Sequence, residues 1–181
     1  MFRYVIGFDA DTKKCGLVVA DLHTKQIIET HCVGINEIVK NILPAILQKY
    51  KSKGQYITVR IELPTLQTAI GVNAEQKSRV AFASGVYDSG RCCEVANIFK
   101  AECINLGLVY STVKSSNRVR CDYNQAAKFD VEQLKRFAQN QHKKNKFLSK
   151  VSNQKAALLF PNMKIVNSET VDAALLIPEI L

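Results

Sequence analysis

Two short apolar segments of this chain run directly into a carboxylate, and that pattern limits its fold more than any other feature. Residues 3–9 read RYVIGFD and residues 56–63 read YITVRIEL, both rich in β-branched and aromatic side chains. As a strand, the first segment places Val5, Gly7 and Asp9 on one face, so Asp9 occupies a position of core type. Glu62 likewise stands between Ile61 and Leu63, and Pro64 ends its segment because proline cannot continue a sheet ladder. A carboxylate carried to such a place needs a cation or hydrogen-bond donors around it. Two central strands therefore end in acids that demand partners.

The rest of the chain alternates the same kind of segment with helical patterns. Residues 16–21 and 26–33 are further apolar runs, separated by DTKK and LHTK, and complete a β-meander with the first strand. Residues 36–50 put Ile38, Ile42, Ala45 and Ile46 at helical spacing behind Asn36, the expected N-cap, with Pro44 expected to bend or shift the helix. Residues 75–106 read as a long helix broken near Ser89 and Gly90, and 108–114 as a fifth strand. Two helices, 131–142 and 149–160, are joined by the basic run HKKNK, and a last helix spans about 168–177. This order predicts a single α/β domain over 1–181, a mixed five-stranded sheet flanked by helices. At 181 residues, 47% hydrophobic and 23% charged, the chain has material for one real core and is neither disordered nor collagen-like. No apolar run approaches a membrane span, and the first nine residues lack a signal-peptide pattern, so the expectation is a soluble intracellular protein with no membrane partner. The six cysteines form no CxxC pair and lack a histidine at zinc-finger spacing, so they read as reduced, mostly buried thiols.

The formal charge of +9 is concentrated: residues 111–160 hold eleven lysines and arginines against three acids. A localised basic surface points to a polyanion, with nucleic acid the default partner and a solvated, solubilising face the plainer alternative. There is no GxGxxG, GxxxxGK[ST], HExxH or GxSxG, which removes dinucleotide, P-loop, zincin and hydrolase-elbow chemistry. Four carboxylates remain. Glu169 and Asp172 stand at i, i+3 on a helix face, about 5–6 Å apart at Cβ. With Asp9 and Glu62 they would repel one another unless divalent cations joined them, the electrostatic design of two-metal phosphoryl transfer. An oxygen-only set suits Mg²⁺. Taken one at a time each acid has a simpler reading: Asp9 capping the DTKK turn, Glu62 paired with Arg60 or a lysine, Glu169 and Asp172 favouring a helix N-terminus.

In order and context these segments resemble the RuvC-type Holliday-junction resolvases, a branch of the RNase H-like nucleases. IGFDADTKKCGLVVAD resembles their first motif, VRIELP the second, NAEQKSRVAFASG the segment after it, VYSTVK the strand ending in a DNA-contacting lysine, and SETVDAALLI the closing motif. The resemblance implies an RNase H-like fold and a Mg²⁺-dependent endodeoxyribonuclease, Mn²⁺ substituting, with two ions held by Asp9, Glu62, Glu169 and Asp172. It implies Lys114 as a DNA contact, with Lys150 or Lys155 in the part of a second lysine; Lys143, Lys144 and Lys146 join them from the basic window. It further implies branched, especially four-way, DNA as substrate, the cytoplasm of a bacterium or virus-infected cell as location, and a homodimer for which Val80, Phe82, Ala83, Val86 and Tyr87 are candidate contacts, their spacing equally suiting packing against the sheet. Three features depart from the family. Asp11 replaces a glycine and is read as a turn cap; no aromatic wedge follows Glu62, leaving Leu63 or Leu66; and residues 115–150 form an expanded basic segment without the glycine-rich pattern. Cleavage of forks and flaps, and a non-catalytic nucleic-acid-binding module, are the competing readings. An actin-like ATPase would need two such halves and far more chain.

Overall fold

β1 (Tyr4–Asp9), β2 (Cys15–Asp21) and β3 (Gln26–Val33) form the expected antiparallel meander, Tyr4 opposite Asp21 and Asp9 opposite Gly16. β4 (Ile57–Leu63) pairs parallel to β1, and β5 (Val109–Lys114) parallel to β4, giving the order β3-β2-β1-β4-β5. The mixed five-stranded sheet is thus the one expected, in this computed structural model describing residues 2–51, 56–64, 79–121 and 125–181, with 51 and 79–85 described by backbone alone.

Alternation divides the core. Tyr4, Ile6 and Phe8 of β1 and Val59 and Ile61 of β4 face one cluster, shared with the helices that follow β3 and β4. Val5, Val18 and Ala20 face the other, closed by the C-terminal helices. On the first side α1 (Ile35–Glu37), a π-helical turn (Ile38–Ile42) and α2 (Leu43–Lys51) run on from one another. The cap is Gly34, not Asn36, and the wide turn precedes Pro44, whose missing N–H leaves a rung of the helical ladder open. α3 (Arg79–Asn105) passes through Ser89 and Gly90 unbroken, and it ends in Gly107 at φ +62°. Phe99 of α3 stacks on Phe8 at 3.8 Å between centroids, tying that helix to the central strand.

The basic segment folds back on itself. β6 (Arg118–Arg120) and β7 (Phe147–Ser149) make a separate two-stranded parallel ribbon, with α4 (Val131–His142) between them, started by an Asp130–Gln133 capping box. Ser149, expected to open a helix over 149–160, instead ends β7, and α5 (Asn153–Leu159) starts only after the Ser152 cap. α6 (Ser168–Ala174) follows, shorter than expected because the chain turns before the 3₁₀ turn Pro178–Ile180. α6 lies so close to the sheet that a Cβ on Gly7 would come 2.2 Å from the Ala173 carbonyl oxygen, and one on Gly16 2.1 Å from that of Glu169. Glycine at these two places sets the depth of the helix.

All six cysteines are free; Cys15, Cys103 and Cys121 are buried and the other three partly so, which is less burial than expected. Burial pushes the Cys15 thiol up to about 11 and the Cys103 thiol to about 12. Among the described residues no helix is long and apolar enough to cross a membrane.

Candidate functional site

Because β1 and β4 run parallel with Phe8 beside Ile61, the next residue on each, Asp9 and Glu62, emerge together at the strand ends. α6, seated on Gly7 and Gly16, brings Asp172 over the same point, only 6% exposed. The ribbon supplies the cations. Arg118 Nη2 lies 3.4 Å from Asp172 Oδ1 and donates to the Asp172 carbonyl at 3.3 Å, while its Nε stands 3.8 Å from Glu62 Oε2. The Lys150 backbone N–H donates to Asp172 Oδ1 at 3.0 Å, and Lys150 Nζ is 3.4 Å from Oδ2. Lys150 holds this position with φ +57°, a left-handed conformation that a lysine rarely adopts. Glu169 sits half-buried at the rim and accepts from Ser168 Oγ at 2.8 Å. Together with Asp11, Ser115, Ser116 and Arg120 these residues line a cleft of about 820 Å³.

Burial raises the Asp9 carboxyl well above the ordinary carboxylate range, and the negative charges of Glu62 and Asp172 and a hydrogen bond with Glu62 raise it further, against the opposing charge of Arg118. The Arg118 side chain is 4% exposed, yet its Nε and Nη1 have no hydrogen-bond partner. The negative charge of the cluster is thus incompletely answered by the groups around it. The oxygen-only acids are of the kind that hold a hard divalent cation, and this residual charge fits one. Their present spacing does not: among the described residues no three histidine, cysteine, aspartate or glutamate side chains are gathered closely enough to grip an ion. Arg118 and Lys150 stand among them instead.

The simpler readings of the acids separate here. Arg60 is committed to Glu179 and to the Leu176 carbonyl at 2.9 Å, so Glu62 is not its partner. Asp11 caps the turn as expected, its Oδ1 accepting from the Lys13 N–H at 2.8 Å. Asn167 caps α6 and Glu169 stands in its first turn, as its simpler reading has it, whereas Asp172 lies beyond that turn. Of the lysines, Lys150 alone lines the cleft. Lys114 is exposed at the end of β5, across from Leu63, and Lys143 and Lys144 are exposed just beyond α4. Lys146 Nζ donates to the Ser116 carbonyl at 3.2 Å. Lys155 is turned to the backbone, its ammonium donating to the carbonyls of Ala126 and Ala127. Leu63 is half-buried, whereas Leu66, the 73–78 part of the segment after the second motif and the side chains of Val80, Phe82 and Ala83 lie outside the described residues. Val86 is half-buried and Tyr87 65% exposed. Arg118 and Arg120 are the cleft residues that sequence reasoning missed; their signal was the charge of a segment matching no motif.

No family model matches the chain, and no curated protein does. Among solved structures the chain is similar to RuvC of T. thermophilus in complex with a Holliday junction substrate, with a TM-score of 0.49 and 13% identity over 98% of this chain and 92% of that one. The fold itself, read from its strands, is α/β with a mixed five-stranded sheet flanked by helices.

Proposed function

We propose that this chain is a divalent-metal-dependent endodeoxyribonuclease that resolves four-way DNA junctions by paired nicks. The observation that carries the reading is the convergence of Asp9, Glu62 and Asp172, from two parallel strand ends and one helix, in a cleft that Arg118, Arg120 and Lys150 make attractive to phosphate. Asp9, Glu62 and Asp172, with Glu169 at the rim, would hold the ions. Bound Mg²⁺, or Mn²⁺ in its place, supplies a water nucleophile active at neutral pH and neutralises charge on the phosphate and the leaving oxygen. The protein's own part is to place the scissile phosphodiester. Arg120 and Lys150 present charge at the cleft mouth, and Lys114, Lys143 and Lys144 extend it along the flanking duplex. Symmetric resolution cuts two opposed strands, so the reading calls for a two-fold homodimer with an isologous contact.

A second reading, broader cleavage of forks and flaps, is favoured by one feature: Glu62 is followed by Leu63 and Pro64 rather than by an aromatic side chain able to stack on an opened junction. The two part in one experiment. Matched labelled four-way, three-way, fork and linear DNAs are incubated with the protein in Mg²⁺, alongside a measurement of its mass in solution. Paired symmetric nicks by a dimer support resolution; a monomer cutting flaps alone supports the broader nuclease; binding of all four without a cut removes both.

A further inference from the structure

Arg118 is the most buried cation of the cleft and the least satisfied. A guanidinium carries five N–H donors in a rigid fork, and a purely structural arginine closes that fork on one carboxylate. Arg3 does this, placing Nε 3.1 Å and Nη2 3.0 Å from Asp21 Oδ2. Arg118 does not. Its Nε is 3.8 Å from Glu62, its Nη2 is 3.4 Å from Asp172, and Nε and Nη1 lack any hydrogen bond although the side chain is 4% exposed. Buried donors left unmade are costly, so this placement is not the one that best stabilises the fold. The guanidinium instead stands between two carboxylates from different elements. It is carried there by a three-residue strand, between the turn Ser115–Asn117 and the chain beyond Arg120, beside the open cleft.

We propose that Arg118 is an exchangeable counter-ion: in the free protein its guanidinium occupies the place of a divalent cation between Glu62 and Asp172, and it moves to a DNA phosphate when substrate enters, opening these acids to the metal. The inference rests on the metallonuclease reading above and adds to it a coupling, in which the site fills with metal when DNA is present. One positive group leaves the acids for a phosphate that carries one negative charge, and a doubly charged ion takes its place beside them. The planar fork suits the phosphate better than it suits two carboxylates lying on different elements.

The test uses Mn²⁺ alone, without DNA. Mn²⁺ binding is followed by electron paramagnetic resonance of the free ion, and thermal unfolding is recorded with and without Mn²⁺, for wild type, Arg118→Gln and Arg118→Lys. The expected result is at least about tenfold tighter Mn²⁺ binding by Arg118→Gln, together with a lower metal-free Tm and a Mn²⁺-induced rise larger than that of wild type. A merely structural arginine would lower Tm without tightening Mn²⁺ binding, and that result overturns the proposal. If Arg118→Gln does not fold without metal, Arg118→Lys decides: it keeps the charge and loses the fork, so its Mn²⁺ affinity should still exceed that of wild type, and equality overturns the proposal. A parallel arm adds a four-way junction with non-hydrolysable linkages. Wild type that takes up Mn²⁺ only with this DNA, while neither variant binds it more tightly alone, removes the counter-ion and keeps the nuclease. No Mn²⁺ uptake by any protein with the junction removes both.

Discussion

Each end of the β1–β2 pair carries an acid, Asp21 buried and Asp9 half-buried, and the protein treats the two in opposite ways. At one end Asp21, 4% exposed, receives Nε and Nη2 of Arg3 and the His23 N–H. Burial pushes its carboxyl up, but Arg3 and the His23 N–H outweigh burial and hold it below the ordinary range. At the other end Asp9 is raised well above that range, by burial and then by Glu62 and Asp172, with Arg118 opposing. The same pair of strands thus gives opposite shifts. The difference lies in what the neighbours supply: Asp21 meets a closed fork of donors, whereas Asp9 meets two more acids and a guanidinium that satisfies none of them fully. An acid that only stabilises a fold is answered by its partners; an under-answered one marks a place where something else is to bind.

The two ends should differ most in cleavage. Asp9→Asn, Glu62→Gln or Asp172→Asn should lower the single-turnover rate on a four-way junction in Mg²⁺ by about a hundredfold or more, since each removes charge that the ions need. DNA affinity in EDTA should stay near wild type, and Glu169→Gln should cost less. Asp21→Asn should leave the rate nearly unchanged, and a comparable loss there would erase the functional difference between the ends.

A second contrast concerns the glycines beneath α6. Gly16→Ala would drive a Cβ to 2.1 Å from the Glu169 carbonyl oxygen, displacing the helix that carries Glu169 and Asp172. The expected cost is about 1–3 kcal/mol by urea unfolding, with slower cleavage. Gly90→Ala, in an α3 position with nothing within 4 Å of the new Cβ, should instead stabilise the protein by about 0.5–1 kcal/mol.

The two acids also part in how stability follows pH. A lowered folded-state pKa gives Asp21 a stabilising effect above its unfolded value, lost as pH falls, so Asp21→Asn should be less stable than wild type at neutral pH and converge with it in acid. The raised pKa of Asp9 has the reverse sign. Wild type loses stability as pH climbs from the ordinary carboxylate value to the raised one, so metal-free Asp9→Asn should match wild type in acid and exceed it at neutral pH. Denaturant midpoints across the pH range, in EDTA, check both; parallel curves for the two variants would contradict the opposed shifts.

Changes in the basic segment should act more weakly than any of these. Reversing Lys143 and Lys144 should flatten the dependence of log K on log salt by roughly 0.9 for each phosphate no longer neutralised, measured on junction DNA without metal. An unchanged slope would return these lysines to a solubilising face. Lys155→Ala should leave the slope alone and lower stability instead, because its ammonium is spent on the Ala126 and Ala127 carbonyls.

Much of the frame was legible in the chain. Five strands, the 131–142 helix and the strand-end places of Asp9 and Glu62 follow from β-branched runs, alternation and helical patterning, and Asp172 was singled out by its i, i+3 spacing from Glu169, all relations among near neighbours in sequence. What could not be read is the ribbon. β6 and β7 are three residues each and have no period long enough to see; they exist because Arg118 meets Phe147 and Arg120 meets Ser149 across a gap that holds a whole helix. The helix expected over 149–160 accordingly started four residues early, and Arg118, ordinary among so many basic residues, could not be told from a surface charge.

Local sequence settles which strands end in acids and which face those acids take, because side-chain alternation is a property of the nearby backbone. Which cations answer them is a matter of the folded whole. Arg118 and Lys150 reach Asp172 only after a non-local ribbon has formed, and Asp172 reaches Asp9 only because Gly7 and Gly16 let α6 settle onto the sheet. Charge compensation depends on distance through space, and for these residues that distance is set by contacts between parts of the chain far apart in sequence.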